Sequence, residues 1–290
     1  MKIIKKLIIL GLTLTVLAGL TACGKSSDAS RNDGASDSKK SYRSLDEIKQ
    51  DGTINIGVFS DKNPFGYVDE NGDYQGYDVY FADRLAKDLG VKVNYVSTEA
   101  ANRIEYLQTG KVDIILANFT VTDERKEEVD FALPYMNVSL GVVSREDHVI
   151  ENLDDLGKDD AIIVISGTTA ETYLTKNYPD ISLQKFDSYA TAKEAFENGT
   201  GVAWANDNTE VIAFALQNKG YKVGISTLGS NDTIAPAVTK GNTTLLEWIN
   251  EDIKKLGEEK FFHKDYEETL SETYGTEYEE TLVVKAEYKS

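Results

Sequence analysis

Three short stretches hold the residues whose types and spacing can do chemistry. In residues 113–125 (Asp-Ile-Ile-Leu-Ala-Asn-Phe-Thr-Val-Thr-Asp-Glu-Arg) a buried strand runs out into polar residues, and Thr122 stands where a helix N-cap belongs. Arg125 then lies in the first helical turn, where the dipole prefers an acid. A guanidinium fork gripping a ligand carboxylate gives that cation a reason to be there; a solvated arginine beside Asp123 and Glu124 is the plain alternative. In residues 163–171 a strand, Gly167, Thr168 and Thr169 open a helix. Backbone N–H groups and hydroxyls at such an end bind anions, or the threonines only cap it. In residues 204–208 (Trp-Ala-Asn-Asp-Asn), Asp207 sits just past a strand, where it can receive an ammonium group or cap the next helix. Together the three supply a carboxylate clamp and an ammonium acceptor, which is what an α-amino acid zwitterion requires.

The elements that must position these groups alternate short apolar strands with amphipathic helices. Strands are predicted over 54–58, 91–95, 112–117, 161–165, 202–205 and 234–238. Helices are predicted from Asp78 as N-cap to Gly90 as stop, over 103–109, from Thr122, and over 169–176, 190–197 and 209–216. A long C-terminal helix carries Leu245, Leu246, Ile249, Ile253 and Leu256 on one face. The order β-α-β-α-β, restarting after about Ser144, implies α/β halves built on parallel sheets with helices on both faces. Ligands in such sheets bind at the carboxyl ends of the strands, so the cleft between two halves is the natural site.

The chain has 290 residues, 41% of them apolar, enough for one large domain or two small ones. Residues 1–22 read as an export signal: a basic head (Lys2, Lys5, Lys6), an apolar body too short to span a bilayer, and small residues at the end. A retained transmembrane anchor is the alternative. Cys23 is the only cysteine, so the exported body has no disulfide, no cysteine nucleophile and no thiolate metal site. Residues 24–43 are polar and small, a flexible tether. Without the three leader lysines, 28 basic residues face 49 acidic ones, a net charge of −21, which argues against a nucleic-acid partner.

The body, over about 52–274, resembles the polar amino-acid receptors of ABC importers, the family 3 solute-binding proteins. The resemblance is carried by residues 57–67 (Gly-Val-Phe-Ser-Asp-Lys-Asn-Pro-Phe-Gly-Tyr), 76–78, 110–113, 118–125, 134–135, 167–169 and 235–237. It implies a two-lobe, type II periplasmic-binding-protein-like fold with two hinge strands. Lobe 1 would comprise 44–141 and 238–290, lobe 2 142–237, with crossings near 140–143 and 235–238. It further implies that Arg125 clamps the ligand carboxylate, that Thr120, Thr168 and Thr169 assist, and that Asp207 takes the ammonium group. Residues 20–23 (Leu-Thr-Ala-Cys) resemble the bacterial lipobox, which implies that Cys23 is lipidated and anchors the protein to the outer face of the cell membrane; the lysine-rich signal and long tether resemble Gram-positive lipoproteins.

Residues 100–103, 113–120, 167–170, 207–209, 234–238 and 261–266 look most like the cysteine-binding branch. Asn118 joins the ligand set on that likeness. Lys62 and Arg103 match positions that are also basic in aspartate and glutamate receptors, so an acidic ligand stays open beside cysteine or cystine. Where the family often has aromatic residues this chain has Lys62 and Ala100, leaving Phe59, Phe65 and Phe119 to line the pocket and disfavouring large cationic ligands. The resemblance implies a monomer that binds a free amino acid and meets an ABC permease, with no cofactor, no metal and no catalysis. Two readings from other classes compete. A dehydratase-like enzyme on the same fold would need a poised acid or base, and both histidines, His148 and His263, read as structural. An adhesin would use the exposed surface of the anchored body.

Overall fold

The computed structural model describes residues 41–284. The export signal, Cys23 and most of the tether lie outside the described residues. The body opens on Ser44, which forms a capping box with Glu47 at the start of helix α1 (Leu45–Asp51). Residues just before it, expected to belong to the tether, are tied down instead. Arg43 pairs with Asp113 and, at 2.9 Å, with Asp51, and the Tyr42 hydroxyl donates to the Gly241 carbonyl at 3.0 Å.

The first part of the chain forms β1 (Thr53–Val58), β2 (Asp61–Lys62), β3 (Gly66–Val68), β4 (Tyr74–Gln75), α2 (Tyr77–Leu89), β5 (Lys92–Ser97), α3 (Arg103–Gln108), β6 (Ile114–Ile115), α4 (Asp123–Glu128) and β7 (Val129–Phe131). The middle forms β8 (Met136–Arg145), β9 (Ala161–Ile165), α5 (Thr169–Asn177), β10 (Ser182–Phe186), α6 (Tyr189–Glu197), β11 (Ala203–Asp207), α7 (Asn208–Gln217) and β12 (Tyr221–Ile234). The chain ends with β13 (Ala237–Thr239), α8 (Thr243–Glu258), α9 (Phe261–Thr269), α10 (Ser271–Tyr274) and α11 (Glu279–Leu282).

The strands make two five-stranded sheets, ordered β5-β1-β6-β13-β7 and β10-β9-β11-β8-β12, and a small sheet β2-β3-β4. Both large sheets are mixed rather than wholly parallel. β1 runs parallel to β5 and β6, and β9 to β10 and β11, as the alternating pattern implies. β13 in the first sheet and β8 and β12 in the second pair antiparallel, because these strands enter where the chain passes from one sheet to the other. The passages fall between Phe131 and Met136 and between Ile234 and Ala237; the first comes earlier than the crossing expected near 140–143, because the whole of β8 pairs within the second sheet.

Other sequence expectations change in detail. Asp78 is not the N-cap of α2; Gly76 holds that place and Asp78 is buried in the first turn. The strand expected over 112–117 pairs only at Ile114–Ile115, because the chain turns sharply at Asn118, whose φ is 46°. The apolar run 234–238 is divided at Pro236 between β12 and β13.

Packing follows the apolar stripes. Leu245, Ile249, Ile253 and Leu256 of α8 are fully buried with Phe81, Ala82 and Leu85 of α2 in the core of the first half. Each large aliphatic side chain buried there contributes about 1.5–3 kcal/mol. A second core joins residues of both sheets, Phe59, Ile115 and Phe119 with Ile163, Tyr189 and Trp204. The two halves therefore meet in a packed seam, and the chemistry-bearing residues lie along it.

Candidate functional site

Lys62 ends the two-residue strand β2 and points inward; its side chain is 0% exposed. The ammonium donates to Asn118 Oδ1 at 2.5 Å and to Asp207 Oδ2 at 3.3 Å. Burial works against that charge, but Tyr189, Asp207 and Glu210 around it more than offset the cost and hold Lys62 above the usual lysine range. The pair joins the two halves, β2 on one side and the end of β11 on the other.

Asn118 owes its place to Asp78. The Asp78 carboxylate accepts the Asn118 N–H at 2.9 Å and the Tyr135 hydroxyl at 2.5 Å. This anchors a residue in the left-handed region, which asparagine tolerates better than most side chains. Burial raises the Asp78 carboxyl to about 7, against the opposing pull of those two donors. The Asn118 side-chain nitrogen, Nδ2, is buried and has no hydrogen-bond partner.

Both arginines lie against Phe119. The Arg103 guanidinium carbon lies 4.5 Å from the ring centroid and that of Arg125 lies 4.6 Å from it, so one ring attracts both cations. Arg103 is buried and spends its donors on carbonyls: Ala100 at 3.0 Å, Ala117 at 3.0 Å, Asn118 at 3.3 Å and Gly167 at 3.0 Å. Arg125 is half-buried and donates to the Thr120 carbonyl at 2.7 Å and the Gly167 carbonyl at 3.0 Å. Desolvation lowers the pKa of both guanidiniums, and for Arg125 the nearby Arg103 adds to it. Thr122 caps α4 by accepting the Arg125 N–H at 3.2 Å, as its spacing predicts.

From the other half, Thr168 is buried and caps α5; its hydroxyl donates to the Ile165 carbonyl at 2.6 Å and accepts the Glu171 N–H at 3.3 Å. Thr169 turns toward Asp207, with its hydroxyl 3.5 Å from Oδ1. Gly167 (φ 78°) lies so close to α3's leading turn that a Cβ would stand 2.5 Å from Ala101 Cα. Phe65 is fully buried beneath Lys62, and Thr120 is buried beside Arg125 and bridges to Ile234.

The structure thus brings Lys62, Phe65, Arg103, Asn118, Thr120, Arg125, Thr168, Thr169 and Asp207 to one seam. It adds two residues that sequence reasoning passed over. Tyr189 stacks edge-on against Phe59 at 5.0 Å and faces Lys62. Glu210 is buried, one of its oxygens lacks a partner, and burial raises its carboxyl to about 7. Its spacing carried a signal: three residues after Asp207, it shares the first turn of α7.

A cleft of about 510 Å³ opens at the edge of this cluster between α4, α5 and β12, lined by Arg125 and Thr169 of the cluster and by Tyr173 and Asp232 among others. Among the described residues, no group of His, Cys, Asp and Glu side chains is arranged to hold a metal ion. No helix of the described residues is long and apolar enough to cross a membrane.

Comparison with known proteins decides the family. The profile of the bacterial extracellular solute-binding proteins, family 3, matches residues 54–272. The chain belongs to that family. A cysteine-binding protein from Campylobacter jejuni superposes on this family 3 protein with a TM-score of 0.81 at 49% identity, covering 83% of this chain and 98% of that one. A solute receptor for L-cysteine from Neisseria gonorrhoeae gives 0.82 at 48% identity over 83% and 100%. The ABC transporter glutamine-binding protein of Bacillus subtilis is 31% identical over 279 residues, 94% of this chain and 98% of its own length. The α/β, two-lobe type II architecture is therefore that of the family, with the candidate site between the lobes.

Proposed function

We propose that this protein is a lipid-anchored, extracytoplasmic receptor that captures free cysteine and delivers it to an ABC importer. The carrying observation is that one seam holds both the Arg125 guanidinium from one lobe and the Asp207 carboxylate from the other, each bonded to a different group of the protein. A zwitterion brings the complementary charges, and burying it requires a partner for each. Arg125 and Thr120 hold the carboxylate, with Thr168 and Thr169 presenting the N-terminus of α5; Asp207 takes the ammonium group. Lys62, Asn118 and Arg103 bound the side-chain end, and Phe59, Phe65 and Phe119 line it. The similarity to two cysteine receptors at 48–49% identity supports cysteine. Lobe 1 hands over to lobe 2 at 132–136 and 234–236, and rotation there closes the site. Cys23 supplies the anchor at the outer face, and the receptor works as a monomer that releases its ligand unchanged.

The test is a thermal-shift and calorimetric screen of the tether-free body against reduced cysteine, cystine, glutamine, aspartate and glutamate. Cysteine is expected to raise Tm with dose. A response to aspartate or glutamate alone refutes cysteine and makes Lys62 and Arg103 the cations that select an acid. Silence with every amino acid, from ligand-free protein, refutes the receptor reading.

A further inference from the structure

Lys62 sits in its surroundings as a bound cation would. Its Nζ lies 4.7 Å from the centroid of Tyr189, 5.2 Å from that of Phe65 and 5.6 Å from that of Phe59. Three rings at such distances make a cage that attracts an ammonium through their π faces. One carboxylate, Asp207, closes the cage at 3.3 Å. A second carboxyl, Glu210, is buried within the field of both Lys62 and Asp207, and its Oε2 has no hydrogen-bond partner. Phe59 and Phe65 come from lobe 1, while Tyr189, Asp207 and Glu210 come from lobe 2.

We propose that Lys62 is a tethered occupant of a cation cage, its ammonium filling the place that the side-chain cation of a basic amino acid would otherwise take. The proposal rests on reading this seam as the ligand site. Two physical effects enforce the exclusion. The stem and head of Lys62 fill the space between the rings. The resident ammonium also repels a second cation, and Asp207 cannot neutralise Lys62, the ligand's α-ammonium and a side-chain cation together. Without Lys62 the cage keeps its rings and two carboxyls, one for each cation of a basic amino acid. A single side chain thus restricts the receptor to short side chains that carry no positive charge.

The variants Lys62→Ala and Lys62→Met test this, with lysine and ethylammonium as probes in calorimetry and thermal shift. Wild type is expected to ignore both probes. Lys62→Ala is expected to bind lysine at least tenfold more tightly than wild type and to gain Tm with ethylammonium but not with ethanol. Lys62→Met, which drops the charge but keeps the stem, is expected to gain neither, and Glu210→Gln added to Lys62→Ala is expected to take the gain away. If Lys62→Ala is unfolded in buffer, ethylammonium restores its native circular dichroism. A Lys62→Ala protein that gains nothing from either cation, or that is not restored by ethylammonium, overturns the proposal, as does an equal gain in Lys62→Met. Ethylammonium is not an amino acid, so the two readings fail separately. Wild type that binds cysteine while the variant refuses both cations refutes the cage alone; wild type deaf to amino acids while the variant takes ethylammonium refutes the receptor alone.

Discussion

Arg103 and Gly167 are 64 residues apart in sequence, yet the Arg103 Nη2 donates to the Gly167 carbonyl at 3.0 Å. Arg125 donates to the same oxygen, also at 3.0 Å. One carbonyl of lobe 2 thus receives two guanidiniums of lobe 1, and Gly167 lets its backbone come close enough to do so. A Cβ there would meet Ala101 Cα at 2.5 Å.

Gly167→Ala therefore acts on closure as well as on the fold. The φ of 78° costs an alanine about 1–2 kcal/mol in the left-handed region. The clash with Ala101 adds a penalty felt only when the lobes meet. The expected result is a modest fall in Tm of the ligand-free protein and a Kd for cysteine raised at least tenfold by calorimetry. An unchanged Kd would show that the lobes need not approach this closely to bind.

Arg125→Ala should abolish most binding. Truncation leaves a carboxylate buried without its fork, a loss of about 3–5 kcal/mol, or more than a hundredfold in Kd. Isothermal titration of the folded variant with cysteine reads this directly. Near-normal affinity would remove Arg125 from the site.

Phe119→Ala should cost both stability and affinity. The fully buried ring packs against both guanidiniums, and its loss leaves a cavity worth about 3–5 kcal/mol and removes the π attraction that offsets the repulsion between Arg103 and Arg125. Urea denaturation should show the loss, and Phe119→Leu should recover most of the stability but less of the affinity. Equal recovery of both would make the ring only a filler.

Asp78 predicts a pH dependence. Its folded-state pKa, about 7, stands above that of a carboxyl in the unfolded chain, so the folded protein binds the proton more tightly. Stability from this group is present below about pH 4 and is lost as pH rises through 7, in total on the order of 2–4 kcal/mol. Glu210, also raised to about 7, acts in the same direction. Urea unfolding at pH 4, 6 and 8 should show the wild type losing more stability with pH than Asp78→Asn does. Parallel slopes would mean that Asp78 is ionised throughout.

Local rules made much of this legible in the sequence. The Thr122 cap, the Gly90 stop in the left-handed region and the α8 stripe each follow from residue type and spacing within one element. What the sequence hid is non-local. β12 carries mostly polar side chains, nearly all of them partly or fully exposed, and three register shifts against β8, so no apolar alternation announces it. Asp78 looked like a cap because an acid at a helix start usually is one; its real partners, Asn118 and Tyr135, lie 40 and 57 residues away. Tyr189 and Glu210 read as ordinary helix residues until the second lobe folds Tyr189 against Lys62 and sets Glu210 within the field of its charge.

The attachments of residues 41–43 have a mechanical consequence. Arg43 is fastened to Asp51 and Asp113, its carbonyl accepts the Asn242 side chain at 3.0 Å, and Tyr42 is fastened to Gly241. All of these partners belong to the part of the molecule built around the first sheet. A pull arriving through residue 41 is therefore borne by that part, through several bonds to different elements. No load crosses the two connecting segments, so the half carrying Asp207 can swing on slack joints while the other is held.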